Sequence, residues 1–169
     1  MEELEALEQW LSGNARPQEE PAKTPDTGAT YVVVHYGERL LAYPLTYTRQ
    51  VIRDVRLTLL PGAHPVLPGA THVEGRIVPV LDVGPLLGEA PLPVDTSYYG
   101  VLLAHEDAQA VALAHTVLGM YTVPDAVIAD PEGNGLLYGR YGWPLDAPEH
   151  TVHIINVPEL LRRAAHVYV

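Results

Sequence analysis

Histidine, aspartate, glutamate and tyrosine must carry whatever chemistry this chain can do, because the usual nucleophiles are nearly missing. None of the 169 residues is cysteine, which removes disulfides and thiolate metal sites. The only serines are Ser12 and Ser97, and neither lies in the G-x-S-x-G setting that exposes a nucleophile. The single lysine, Lys23, falls in a polar, Pro-rich stretch, which suits neither a phosphate-loop lysine nor a buried Schiff-base lysine. Eight histidines are dispersed along the chain. The close pair His150 and His153 would point to opposite faces of a strand, and no HExxH-like spacing occurs, so neither a metal nor a cofactor is expected. Asp82 stands alone at a strand end, where a carboxylate more often caps the following turn than acts as a general base. Residues 133–139, GNGLLYG, lack the spacing and βαβ context of a dinucleotide fingerprint and read as a turn. With no catalytic constellation in view, the chain is read as a non-enzyme.

Charge and hydropathy narrow the partners. A formal net charge of −11 leaves no basic stripe for a phosphate backbone, so nucleic acid is excluded and a basic protein surface is the better match. No run of eighteen or more apolar residues occurs, and the first ten residues, MEELEALEQW, are acidic where a signal peptide would be basic. A soluble cytoplasmic protein without membrane insertion is the expectation.

The elements that must position these residues fall into three parts. Residues 1–11 place Leu4, Leu7 and Leu11 on one helical face with Trp10 beside them, a short amphipathic helix that could dock on a partner or on the chain's own domain. Residues 12–29, with Pro17, Pro21 and Pro25, read as a flexible linker. The folded domain, residues 30–169, opens with YVVVHY and LLAYPL, a hairpin turning at Gly37. TRQVIRDVRLTLL alternates polar and apolar residues until Ile52 breaks the pattern, which predicts a bulge or turn near Arg53 and Asp54.

The most informative stretch is 67–88, LPGATHVEGRIVPVLDVGPLLG. It reads as a loop carrying Gly69 and Gly75, then a strand, Ile77 to Leu81, apolar enough to be buried on both faces, with Pro79 suggesting an edge or bulge. YYGVLLAH and a single long return strand, AVALAHTVLGMYTV, form a second hairpin. LLYGRYGWPL and TVHIINV follow, the latter running into a short helix, PELLRRAAH, whose Pro158 suits a first turn. The strand-stop-helix order of IINVPELL repeats that of PVLDVGPLL, so two lobes of similar plan, small barrels built from short strands, are expected.

Laid out this way, residues 30–161 resemble the CheW family, the adaptor domain of bacterial chemosensory signalling. VLPGATHVEGRIVPVLDV looks like the family's signature of a glycine, a short polar step, an apolar residue, Arg-Gly, an apolar pair, Pro, an apolar pair and Asp, followed by a short helix. The opening hairpin, AVALAHTVLGM and IINVPELL support it. The resemblance implies an all-β fold of two intertwined five-stranded SH3-like barrels on a common core, and a non-catalytic role bridging chemoreceptor tips to a histidine kinase of the CheA type. By position, the family's kinase-facing valine and glutamate fall on Thr48 and Gln50, its kinase-contact glycine on Gly69, and its signature arginine on Glu74. Partner contact is therefore implied through Thr48, Gln50, Gly69, Glu74, Gly75 and Arg76. The pattern departs where Gln50 and Glu74 replace a glutamate and arginine that can pair, and where His115 and Asn156 replace aspartates. These departures suggest a divergent adaptor, serving chemotaxis or twitching motility. Two other readings stand beside it: a small β-barrel ligand-binding protein or enzyme using tyrosines and histidines in a cleft, and a regulator whose leading helix covers its own partner site.

Overall fold

The computed structural model describes residues 28–131 and 135–167. The expected helix with Leu4, Leu7, Trp10 and Leu11, and nearly all of the expected linker, lie outside the described residues. Among the described residues, eleven strands and one α-helix follow in order: β1 Gly28–Tyr36, β2 Arg39–Pro44, β3 Thr48–Ile52, β4 Thr58–Leu59, β5 Gly69–Val73, β6 Arg76–Leu81, β7 Tyr99–His105, β8 Ala108–Ala114, β9 Thr116–Pro124, β10 Leu137–Trp143, β11 His150–Ile155 and α1 Val157–Ala165. β1 thus starts at Gly28, with Gly28 and Ala29 paired to Pro124 and Val123, so the last two residues read as linker belong to the sheet.

Two sheets form two lobes. One has the order β10-β11-β2-β1-β9, the other β3-β7-β8-β6-β5-β4. The second carries a sixth strand beyond the five expected, the two-residue β4. The chain passes between lobes through the 3₁₀ turn Leu45–Tyr47 and again at His115. The return strand read as one piece is therefore two, β8 in one sheet and β9 in the other. At the break, His115 donates its N–H to the His35 carbonyl at 2.8 Å, and its Nδ1 accepts from Gly37 N–H at 2.8 Å. An apolar run without a turn residue gives no sign of such a crossing, because both halves stay extended.

Pairings repeat between the lobes with partners exchanged. The β1–β2 hairpin joins β9 and, in parallel, β11; the β7–β8 hairpin joins β3 and, in parallel, β6. Each hairpin is thus completed by strands from the other half of the chain, which intertwines the lobes. Alternate residues of these hairpins explain their unbroken apolarity. Val32, Val34, Leu41, Val101, Leu103, Ala110, Ala112 and Ala114 face one shared core, closed by Leu160, Leu161 and Ala164 of α1. Tyr31, Val33, Leu40 and Ala42 face the core of their own lobe, as do Leu102, Val111 and Leu113 in the other. Both faces of these strands are buried, which removes the polar alternation of a surface strand.

The strand 77–81 is different. Ile77 is 71% exposed and Pro79 exposed, while Val78, Val80 and Leu81 are buried. The expectation of burial on both faces fails here because the parallel pairing with β8 reaches only Val80 and Leu81, leaving the first half of β6 open. Pro79 falls in that open half, where its missing donor is not needed.

Where β6 ends, Asp82 is 2% exposed. Its Oδ1 accepts a short hydrogen bond from the Tyr36 hydroxyl and another from Gly84 N–H at 3.1 Å, and Oδ2 accepts from Leu92 N–H at 2.8 Å. Tyr43 is buried nearby with a hydroxyl that has no partner. Burial and then the Asp82 hydrogen bond hold the Tyr36 phenol far above its usual range, and burial and the Asp82 charge do the same to Tyr43. Tyr36→Phe, by removing a donor from a buried carboxylate, is expected to cost about 1.5–3 kcal/mol in urea unfolding. Tyr43→Phe removes an unsatisfied hydroxyl and is expected to leave stability unchanged or raise it by about 1 kcal/mol. Equal losses in the two variants would contradict this assignment.

Candidate functional site

The six residues implied in partner contact occupy three settings on one sheet. Glu74 and Gly75 form the two-residue turn of the β5–β6 hairpin, whose last pair is Val73 with Arg76. Both have positive φ, 51° and 82°, the geometry of a type I′ turn that matches strand twist. Glu74, Gly75 and Arg76 are all exposed, so this tip is the part of the set presented outward. The segment Gly69–Val73 is a strand, not the expected loop, and pairing across the hairpin is what makes it one.

Gly69 is buried between two strands, opposite Leu59 of β4 and Val80 of β6. A Cβ there would overlap the Thr58 carbonyl oxygen and crowd the Leu57 side chain. Its residue type is thus dictated by the close approach of β4. Thr48 is also buried and donates its hydroxyl to the Pro44 carbonyl at 3.2 Å. A register shift between Thr48 and Gln50 marks a bulge at the exposed Arg49. Gln50 is half-buried, and β7, β8 and β6 intervene between its strand and β5 in the sheet order. Strand pairing brings Gly69, Glu74, Gly75 and Arg76 onto one hairpin and leaves Thr48 and Gln50 on the opposite edge strand.

Sequence reasoning missed the surface next to the tip. The open half of β6 lines a groove of about 560 Å³ with Arg76, Ile77 and Pro79 on one side, the acidic β7–β8 turn at Glu106 and Asp107 on another, and Leu161 and Ala164 of α1 as its floor. The one available signal was Pro79, which withholds a donor where a neighbouring strand would otherwise pair. α1 is fixed at its start by Asn156, whose Oδ1 accepts from Glu159 N–H at 3.2 Å. Arg162 and Arg163 both donate to the Glu159 carboxylate, which draws its pKa down to about 2.

The tyrosine shifts run against acid–base work. Burial is the first cause of the raised pKa of Tyr31, Tyr36, Tyr43, Tyr98 and Tyr141. A tyrosinate base needs the opposite shift. His153 is lowered by burial and by Arg39 and Arg140, and is neutral at physiological pH. No group of three or more His, Cys, Asp or Glu residues gathers among the described residues.

A family model described as the CheW-like domain matches residues 30–165. The chain belongs to the CheW-like family. Among curated CheW-like relatives, it is 27% identical over 165 residues to Protein FrzA of Myxococcus xanthus, covering 94% of this chain and 95% of that protein. It is 28% identical over 88 residues to Protein PilI of Pseudomonas aeruginosa, covering 52% of this chain and 49% of PilI, so that match spans about half the relative's length. The crystal structure of the scaffolding protein TtCheW from Thermoanaerobacter tengcongensis superposes with a TM-score of 0.65 at 17% identity, covering 77% of this chain and 90% of that one, which establishes the two-lobed CheW fold. CheW-like proteins are non-catalytic scaffolds.

Three outcomes follow from this geometry. Glu74→Asn, which accepts positive φ more readily than glutamate and completes an Asn-Gly turn, is expected to raise stability by about 0.4–1 kcal/mol in denaturant melts. Gly69→Ala, which overlaps the Thr58 carbonyl, is expected to lower it by about 1–3 kcal/mol. Because the Glu159 pKa is depressed, its ion pairs contribute stability above the ordinary carboxylate value near 4.5, and that contribution disappears as pH falls through about 2. Thermal melts of Glu159→Gln are expected to show a weaker dependence on pH between 4.5 and 2 than the wild type.

Proposed function

We propose that this chain is a cytoplasmic, non-catalytic adaptor that couples a chemoreceptor-type sensor to a CheA-type histidine kinase in a chemosensory pathway governing chemotaxis or surface motility. The match of residues 30–165 to the CheW-like domain carries the reading, and similarity to FrzA over nearly the whole of both chains supports it. The hairpin tip Glu74–Arg76, at the heart of the signature stretch, presents exposed side chains on a rigid two-strand support. Gly69 underlies that surface from within the same hairpin, while Thr48 and Gln50 lie on the opposite edge strand.

Glutamate at position 74, where the resemblance implies arginine, reverses the charge at the tip. A kinase partner matched to this chain is then expected to offer a basic or neutral contact there, consistent with a chain of net charge −11. Interfaces of such assemblies can be small and weak, so binding to the CheA-type kinase encoded in the same genome should be read by calorimetry or sizing up to high micromolar concentration. No complex in that range would sink the kinase half of the proposal. Glu74→Arg is expected to weaken binding to that cognate kinase and strengthen binding to one from an ordinary chemotaxis system. No change with either kinase would show that partner choice lies elsewhere.

A further inference from the structure

Away from the hairpin, a cavity of about 400 Å³ opens at the outer end of the other lobe, where β1 begins. Its walls bring together three tyrosines from separate elements: Tyr31 of β1, Tyr47 of the 3₁₀ turn after β2, and Tyr138 of β10. Asp125, at the start of the 3₁₀ turn that follows β9, is the only charged side chain among the described residues of the wall. It is exposed and has no ion-pair partner among the described residues. Tyrosine rings attract a cation through their negative faces, and a neighbouring carboxylate adds a full opposite charge. We propose that this cavity is a binding site for an organic cation, the ammonium or guanidinium end of an aliphatic side chain.

The surroundings argue for that charge and against its opposite. The first turn of α1 also borders the cavity, and a bare helix start would favour an anion. Here the Glu159 N–H is already capped by Asn156, the Leu160 N–H is bonded to the Asn156 carbonyl and Pro158 has no N–H, so that end has few donors left for an anion. Ile154, Ile155 and Val157 supply apolar wall for a methylene stem. Burial and the nearby Asp125 keep the Tyr31 phenol neutral, so among the described residues Asp125 alone gives the wall a negative charge. The site does not depend on which kinase or receptor the adaptor serves. Its cation has two sources. One is a lysine or arginine of a partner. The other is this chain's own Lys23, five residues before Gly28, within reach at about 3.3–3.6 Å per residue.

The test is titration of the full-length chain, labelled with ¹³C in its tyrosine rings, with n-butylammonium and separately with n-butanol, a neutral molecule of like shape. Saturable shifts at Tyr31, Tyr47 and Tyr138 with the cation and none with the alcohol are expected. Asp125→Asn and Tyr138→Leu, both at exposed positions, should each weaken the response at least about threefold. The same titration of Lys23→Ala separates the sources. Equal binding in both chains assigns the site to a partner's side chain, and binding only after removal of Lys23 assigns it to the chain's own lysine. An equal response to butanol, undiminished binding in Asp125→Asn, shifts that miss these tyrosines, or no binding in either chain would overturn the proposal.

Discussion

A buried carboxylate ties this fold together. Asp82 ends β6 in one lobe, yet its first partner is the hydroxyl of Tyr36, the last residue of β1 in the other. Taking an ionised carboxylate out of water costs several kcal/mol unless hydrogen bonds replace the lost hydration. Three donors do so here, Tyr36 Oη, Gly84 N and Leu92 N, while the Asp82 N–H is taken by the Val66 carbonyl at 2.8 Å. One side chain thereby fixes a strand of the opposite lobe, the turn after β6 and the loop leading towards β7. Gly84 is required by the same arrangement, since a Cβ at that position would collide with the Tyr36 hydroxyl. Asn156 plays the corresponding part after β11, but more lightly, capping α1 and bonding the Gly135 carbonyl at 3.2 Å.

The exchange of hairpins between halves makes such a tie necessary. Neither half of the chain contains a complete lobe, because β1 and β2 need β9 to β11 while β7 and β8 need β3, β5 and β6. The shared core lies between the two exchanged hairpins. It is narrow on one side, where β8 offers Ala110, Ala112 and Ala114, and filled on the other by Val32, Val34, Leu41 and Tyr43. Small residues facing large ones let the sheets approach without voids. Separation of the lobes would expose the shared-core faces of both hairpins at once, so the lobes stand or fall as a unit.

Those central strands were the most legible part of the sequence. YVVVHY and AVALA announce themselves because two-sided burial demands apolar residues at every position, and the match between PVLDVGPLL and IINVPELL showed the repeat. Asp82 was legible as a cap, since its neighbours in sequence form the turn, but Tyr36 lies 46 residues away and no local pattern points to it. β5 was not legible. Pro68, Gly69 and Gly75 are turn residues by local preference, and Glu74 is a poor choice for positive φ, so only pairing with β6 makes a strand of Gly69–Val73. Ile77 misled for the converse reason: its type suits a core, while its position is set by where the β8 pairing stops. The tyrosine-lined cavity had no sequence signal at all, because Tyr31, Tyr47 and Tyr138 meet only after the exchange of hairpins is complete.

The division between frame and surface also explains why family and partner are read with such different ease. Residues that fix the frame are buried and answer to many neighbours, and the fold is shared with a solved CheW structure at only 17% identity. Residues at the hairpin tip, Glu74, Gly75 and Arg76, are exposed and answer to none of the core, so their side chains can change without disturbing it. An adaptor needs this separation. If it holds two partners in fixed geometry, its contact surfaces must be carried on elements that do not yield. A continuous hydrogen-bonded sheet from β3 through β7, β8 and β6 to β5 supplies that stiffness.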